Sequence, residues 1–282
     1  MSLVRLVLPG LLLLSSALQA QVFWSVTDDE GRQNWLLGTV HSEDPRLLDF
    51  PPELIEALGA SGYLALELVP DATMLEQLQR AMHFDEGGLD EVLEPELYDE
   101  VVRILAESYG MGEPAVRRLR PWAVGMTLSV PPPETGIFMD LALSFRAGGM
   151  GVEVIALETI DEQLGFLKGM SKEAQIKLVR AAVAEHDIMD EMLDALIRAY
   201  LDGDLDRLES LSMDQMEGMD EEFVSHFNEI GLRQRNHTMV KRAQPYLEGG
   251  GLFIAVGALH LPGEDGLIKL LRDKGYRLEA VY

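Results

Sequence analysis

Two copies of one short motif combine a glycine with a histidine three residues later. The first is Gly38-x-x-His41, near the start of the chain, and the second is Gly257-x-x-His260, near its end. With 26 glycines and 6 histidines among 282 residues, chance gives about half a match of this kind, so one copy alone is uninformative. Both copies, however, follow apolar runs typical of strands and precede a pair of acidic residues. This shared context predicts that the motifs act together.

The chemistry that these motifs predict is the binding of a divalent metal ion. A glycine at the end of a strand allows a tight turn or a close backbone approach. The histidine then projects at the carboxyl edge of the sheet, where α/β proteins bind ligands. Neutral imidazole is a common ligand of transition metals, and a site of two histidines and a carboxylate can activate water. We therefore predict that His41 and His260 bind manganese, cobalt or zinc. The alternative is that both histidines only cap turns.

Two glutamates end runs that are apolar enough to be buried parallel strands. Glu67 closes the run Tyr63-Leu-Ala-Leu66, and Glu158 closes a similar run that begins at Val152. An uncompensated carboxylate at such a position is costly, so each glutamate needs a partner. We predict that both are metal ligands and that Glu67 also serves as general base for water. The alternatives are a salt bridge or, for Glu158, a helix cap next to Thr159.

A cation and an amide, Arg235 and Asn236, lie shortly before the second motif. An arginine at the same edge of the sheet could hold a substrate carboxylate or stabilise an oxyanion, so both residues are predicted to be catalytic. The alternative is a solvated helix face. His83, His186 and His226 have no repeated context and are assigned to the surface. The sequence has no nucleophile elbow, dinucleotide fingerprint or phosphate loop, which disfavours serine hydrolases and nucleotide enzymes.

Composition and the first residues predict an exported protein. Residues 1–20 place Arg5 ahead of a short apolar run and then small residues, the pattern of a cleavable signal peptide, so we expect a periplasmic or secreted protein without stable membrane insertion after cleavage. Cysteine is absent, which excludes disulfides and thiol nucleophiles. The formal net charge of -25 disfavours nucleic acid as a partner and attracts cations.

The element pattern predicts an α/β fold whose central sheet is built from strands at both ends of the chain. Two β-rich runs, at 22–27 and 34–40, predict a hairpin, and a strand, helix and strand close the chain. Helical periodicity over about 71–130 and 171–247 predicts an inserted helical lobe. Residues 21–282 therefore form one predicted domain.

An ordered set of short segments resembles the TraB/PrgY/GumN family, in its bacterial GumN-like branch, which is related to the Tiki-type metalloproteases. The segments are LLGTVH at 36–41, LALEL at 64–68, GIFMD at 136–140, ALETIDEQL at 156–164, RNHTM at 235–239 and VGALHLPGEDGL at 256–267. The resemblance implies a fold similar to the erythromycin esterase and ChaN-like group, with paired Gly-x-x-His motifs and a glutamate at a divalent metal.

Carried over to this chain, the resemblance gives the motif histidines as His41 and His260 and the metal-site glutamate as Glu67. Arg235 and Asn236 match the polar pair before the second motif, and Glu158 matches the Leu-Glu-Thr segment. Asp140 stands further from its glycine than in relatives and is assigned no role.

The functional prediction is an exported metal-dependent hydrolase that cleaves a peptide or protein substrate. The alternative is a non-catalytic protein that binds or sequesters a peptide or a heme-like ligand, since some relatives are discussed as binders. A link to exopolysaccharide production, suggested only by the GumN name, is disfavoured because an acidic protein grips an anionic polymer poorly.

Overall fold

The computed structural model describes residues 22–69, 71–216, 219 and 221–282. The predicted signal peptide at 1–20 lies outside these residues. The described chain forms a mixed α/β structure around one sheet, with strands β1 (Phe23–Thr27), β2 (Gln33–Thr39), β3 (Tyr63–Leu66), β4 (Glu153–Ala156), β5 (Leu252–Gly257) and β6 (Arg277–Ala280). These six strands lie side by side in the order β4-β3-β5-β2-β1-β6.

The sheet joins the two ends of the chain at its centre. β1 and β2 form the predicted antiparallel hairpin, with Phe23 opposite Leu37. β5 lies between β2 and β3 and is parallel to both, and β4 continues the parallel set beyond β3. β6 pairs antiparallel with β1 at the other edge, so it runs in the same direction as β5 with two strands between them. Four neighbouring strands therefore end at one edge of the sheet.

Helices fill the connections between the strands. They are α1 (Pro45–Leu48), α2 (Pro52–Gly59), α3 (Ala72–Met82), α4 (Pro95–Tyr109), α5 (Glu113–Val116), α6 (Pro121–Leu128), α7 (Met139–Met150), α8 (Ile160–Gly169), α9 (Lys172–Glu185), α10 (Met189–Leu201), α11 (Leu205–Gln215), α12 (Glu221–His226), α13 (Arg235–Gly249) and α14 (Leu267–Asp273). Local sequence explains several boundaries. Thr159 and Glu162 form a reciprocal capping box at the start of α8, and Gly110 ends α4 in the left-handed conformation that glycine adopts without strain.

The helical region predicted over about 171–247 contains several breaks in the structure. A 3₁₀ turn at His186–Ile188 separates α9 from α10. A π-helical segment at Phe227–Gln234 leads directly into α13. Periodicity alone does not reveal such breaks, because the apolar spacing continues through them. π-helical turns are rare and are frequently found at functional sites.

Two hydrophobic cores hold these elements. One surrounds the sheet and includes Phe23, Phe253 and Leu64, all fully buried. The other lies among helices and includes Leu105 and Trp122. Among the described residues, no helix is long and apolar enough to cross a bilayer.

Candidate functional site

Four neighbouring parallel strands each deliver one candidate side chain to the same edge of the sheet. His41 follows β2, His260 follows β5, Glu67 follows β3, and Glu158 follows β4. Because these strands are parallel, their carboxyl ends face the same side, where open α/β sheets bind ligands.

The motif glycines allow the backbones at this edge to come close together. A Cβ atom on Gly38 would lie 3.0 Å from the Cα atom of Ala258, inside the second motif, so the first motif packs directly on the second. A Cβ atom on Gly257 would lie 3.3 Å from a carboxylate oxygen of Glu67. The backbone N–H of Gly257 donates to this Oε1 atom at 2.7 Å. Both glycines therefore allow a close approach, of backbone to backbone at Gly38 and of the Glu67 carboxylate to the backbone at Gly257.

One guanidinium joins the half-buried Glu67 and the buried Glu158. The Nη2 group of Arg235 donates to Oε2 of Glu67 and to Oε2 of Glu158, both at 2.6 Å. Its Nε donates to the other oxygen of Glu158 at 2.9 Å. Gln163, on α8, adds donations to Oε2 of Glu67 at 2.9 Å and of Glu158 at 3.2 Å. The side chain of Glu158 is only 1% exposed, so this cation is the partner that its burial requires.

Asn236 fixes the orientation and the tautomer of His260. The amide Nδ2 group donates to the backbone oxygen of Asp265 at 2.8 Å, which makes Oδ1 the acceptor for the Nδ1–H of His260 at 2.6 Å. The proton of a neutral imidazole then lies on Nδ1, and Nε2 carries a free lone pair. Nε2 makes no hydrogen bond with a described residue and lies 3.6 Å from Oε1 of Glu67.

The electrostatics of this pair favour a charged glutamate beside a neutral histidine. Burial raises the pKa of Glu67, but the charge that His260 carries when protonated, the Arg235 guanidinium and the Gly257 N–H together hold it below its usual value. Burial lowers the pKa of His260, more than the nearby Glu67 charge raises it. A neutral imidazole next to an ionised carboxylate is the state in which both groups can bind a metal ion.

His41 lies at the same edge, and its side chain is exposed. Its ring centroid is 3.8 Å from that of Phe138, which precedes α7. Desolvation by neighbouring residues lowers the pKa of His41, and the negative charge of Glu67 opposes this shift. The two residues therefore interact electrostatically. No direct contact joins His41 to His260 within the described part of the chain.

The acidic pairs that follow the two motifs hold loops in place. Glu43 accepts hydrogen bonds from the backbone N–H groups of residues 134, 135 and 136, at 3.1, 2.7 and 2.8 Å, which lowers its pKa. Asp44 caps α1 by accepting from the N–H of Arg46. After the second motif, Asp265 contacts His237 at 3.1 Å. Glu43, Asp44 and Asp265 therefore stabilise the loops and the helices beside the two motifs.

Asp140 and Gln163 are polar residues at this edge that the sequence reasoning did not select. The Oδ1 atom of Asp140 accepts from the hydroxyl of Thr39 at 3.0 Å, at the end of β2. Burial, with the charge of Glu67 added, raises the pKa of Asp140 to about 7. Its spacing from the preceding glycine had argued against a role. Gln163 sits inside the quoted segment ALETIDEQL, and its position one turn into α8, near Glu158, was the available signal.

The donor set fits a divalent metal in part. His260 Nε2 and Glu67 Oε1 offer an unprotonated nitrogen and an ionised oxygen at a separation that two ligands of one ion can have. Both oxygens of Glu158 are engaged by Arg235, which favours anchoring the guanidinium over ligating a metal. Over residues 22–69, 71–216, 219 and 221–282, no three histidine, aspartate or glutamate side chains are grouped as a ready metal site. The metal-ligand roles of His41 and Glu158 stay predictions.

Comparison with known proteins places the chain among relatives of low identity. An uncharacterized protein of Treponema pallidum (strain Nichols) is 24% identical over 280 residues, which cover 90% of this chain and 81% of that protein. Metalloprotease TIKI1 of Danio rerio is 25% identical over 308 residues, covering 91% of this chain. The aligned region spans 62% of the Danio rerio protein, so this chain corresponds to only part of it. No solved structure matches.

The family comparison covers the whole described chain apart from its last residues. The match to the TraB/PrgY/gumN family extends over residues 22–280, from the first strand to the last. It includes both Gly-x-x-His motifs and all four strand ends described above. The chain belongs to the TraB/PrgY/gumN family.

Proposed function

We propose that this protein is an exported metal-dependent hydrolase that cleaves peptide bonds, with the metal held by His260, Glu67 and His41. The observation that carries the proposal is the geometry of His260. Its Nδ1–H is held by Asn236, and its free Nε2 lone pair lies 3.6 Å from an oxygen of Glu67. A second hydrogen bond that fixes the tautomer of a histidine is the usual companion of metal ligation.

The charge at the carboxyl edge favours a bound cation. Glu67 and Glu158 are two carboxylates that share one guanidinium, Arg235, and His260 is neutral. With both carboxylates ionised the cluster carries one negative charge in excess, in a setting where an uncompensated charge is costly. A cation between Glu67 and His260 would balance this charge. The acidic surface of the protein also raises the local concentration of cations.

The side chains at this edge have separate proposed roles, some in binding the metal and others in orienting its ligands. When bound, the divalent ion supplies Lewis acidity toward a carbonyl and toward water. Glu67 stays ionised because its pKa is lowered, which suits a ligand better than a strong base. Arg235 holds the Oε2 atom of Glu67 and leaves Oε1 facing His260. Both polar atoms of the Asn236 amide are used within the protein, so its proposed role is to position His260.

The peptide substrate is proposed from the family relationship. The Danio rerio relative is named a metalloprotease, and the similarity extends over nearly all of this chain at distant identity. Manganese, cobalt and zinc all suit a site of imidazole and carboxylate ligands. Export to the periplasm or beyond is proposed from the first twenty residues, and a fold shared with the erythromycin esterase and ChaN-like group from the family resemblance.

The test is metal analysis and peptide turnover on the purified protein. Wild type, His41→Ala and His260→Ala are treated with a chelator, reloaded with manganese, cobalt or zinc, and assayed on a library of quenched fluorescent peptides. His83→Ala is the matched control, because the His83 side chain is partly exposed and its ring bonds to the backbone of α3, away from the carboxyl edge of the sheet. We expect metal content and turnover to fall in both motif variants and to persist in the control. Unchanged metal content in both motif variants would exclude the site.

A second candidate function is the retention of an apolar ligand without turnover. A cavity of about 370 Å³ is lined by Met126, Met189, Met192 and other apolar side chains, and it reaches Leu259, the residue before His260. Methionine adapts its shape to varied apolar ligands. Saturable binding of a peptide or of heme, with no turnover at any metal loading, would favour this function over hydrolysis.

A further inference from the structure

A second cavity lies among the helices, within the part of the fold built on the helical core. Its volume is about 750 Å³, and its walls come from α3, the start of α6, α8 and the start of α9. None of the candidate residues at the carboxyl edge of the sheet lines it. The proposed hydrolase mechanism therefore makes no use of this cavity.

Basic residues outnumber acidic ones in the lining of this cavity, whereas acidic residues outnumber basic ones in the whole chain. The whole chain has 48 acidic and 23 basic residues. The cavity has four basic side chains, Arg80, Arg120, Lys168 and Lys172, against two acidic ones. Concentrating cations in a concave surface of an otherwise acidic protein creates a local positive potential that attracts anions.

Arg120, which lines the cavity, is held by three contacts. Arg120 donates from Nε to the backbone oxygen of His83 at 2.9 Å and contacts Asp85 at 3.2 Å. Its guanidinium also lies over the ring of Phe84, 5.3 Å from the centroid. A cation that is already oriented loses little side-chain entropy when an anion binds.

The two lysines have charge to spare for a ligand. The Nζ atom of Lys168 lies 3.9 Å from a carboxylate oxygen of Asp161, and the side chains of Lys168 and Asp161 are 46% and 90% exposed. Lys172, the first residue of α9, makes no ion pair with a described residue. A free ammonium group offers up to three donors to an anion.

The lining of the cavity includes a buried aromatic side chain, Trp122. Trp122 is 3% exposed and lines the cavity, and its indole Nε1–H makes no hydrogen bond within the described part of the chain. The indole N–H is covered by neighbouring atoms, so a ligand in the cavity would contact the ring of Trp122 and not its donor. Trp122 also stands in the first turn of α6, which begins after Arg120 without a side-chain cap.

We propose that this cavity binds an organic anion with two or more acidic groups attached to an apolar or aromatic group. Lys168, Lys172 and Arg120 bind the acidic groups, and Phe84 and Trp122 contact the apolar part. The ligand is a free polycarboxylate or an acidic stretch of a peptide, because both present this chemistry.

The experiment measures binding by isothermal titration calorimetry at low salt. The probes are benzene-1,3,5-tricarboxylate and the blocked peptide Glu-Glu-Phe-Glu. The test variant is K168Q/K172Q, and the matched control is K241Q/K274Q, which removes two exposed lysines from outside the cavity. All four positions are exposed, so both double variants should fold, and thermal unfolding checks this.

We expect saturable binding of at least one probe, weakened tenfold or more in K168Q/K172Q and less than twofold in the control. Binding of the peptide alone identifies a peptide ligand, and binding of the tricarboxylate alone identifies a small polycarboxylate.

Three results would overturn the proposal: no saturable binding of either probe, equal weakening by both double variants, or binding that K168Q/K172Q leaves unchanged. Because the readout is binding, failure here is distinct from failure of the proposed hydrolase.

Discussion

Replacing Arg235 by methionine should destabilise the protein far more than replacing its neighbour Arg233. Arg235 is the cation shared by Glu67 and Glu158, and the side chain of Glu158 is 1% exposed. Without the guanidinium, the side-chain donor left to Glu158 is Gln163, at 3.2 Å. Removing one partner from a buried ion pair costs about 3–5 kcal/mol, because the other charge stays buried and uncompensated. We expect Arg235→Met to lower the free energy of unfolding by about this amount.

The control and the rescue use the same region. Arg233 pairs with Glu229 on the exposed face of the π-helical segment, with the side chains 47% and 40% exposed, so Arg233→Met should cost at most about 1 kcal/mol. Adding Glu158→Gln to Arg235→Met removes the stranded charge and should recover more than half of the loss.

Urea unfolding at pH 7, followed by circular dichroism, measures all of these variants, and adding the Glu158→Gln single variant closes a double-mutant cycle. The reasoning is refuted if Arg235→Met costs no more than Arg233→Met, or if Glu158→Gln restores nothing.

Three further predictions concern the same edge of the sheet. Asp140→Asn should stabilise the protein increasingly between pH 4 and pH 8, by up to about 4 kcal/mol. The pKa of Asp140 is raised from 3.8 to about 7, so above pH 3.8 the unfolded chain ionises this carboxyl group more readily than the folded protein does, and wild type loses stability. Urea unfolding at both pH values checks this, and a pH-independent difference would contradict it. Glu43→Gln should speed hydrogen exchange at residues 134–136, whose N–H groups it binds, and leave the strands protected. Gly38→Ala should cost about 1–3 kcal/mol by overpacking against the second motif, whereas Gly148→Ala, with open space around it, should not lower the melting temperature.

The parts of the fold that could be predicted from the sequence are those with a local cause. The hairpin of β1 and β2 and the strands before Glu67 and Glu158 follow from runs of apolar residues ended by turn residues. The prediction that the strand before Glu158 is buried was wrong, because β4 lies at the edge of the sheet and its residues are half-buried or exposed. The insertion of β5 between β2 and β3 pairs segments that are about 200 residues apart, and no local pattern reports such a pairing. The breaks within the helical region 171–247 could not be predicted, because apolar spacing is preserved across them.

In the candidate site, too, features with a local cause could be predicted and long-range contacts could not. Sequence reasoning required that buried carboxylates such as Glu67 and Glu158 have partners, and both do. It assigned Arg235 to the substrate, because nothing local indicates that one guanidinium reaches two strand ends. That sharing matters for function. Two separate arginines would neutralise both carboxylates and leave a neutral edge, whereas a single arginine leaves one negative charge beside the free nitrogen of His260. In the proposed metal site this excess charge would attract the ion, so a variant that supplies a second cation near Glu67 should bind a divalent metal more weakly while the fold is retained.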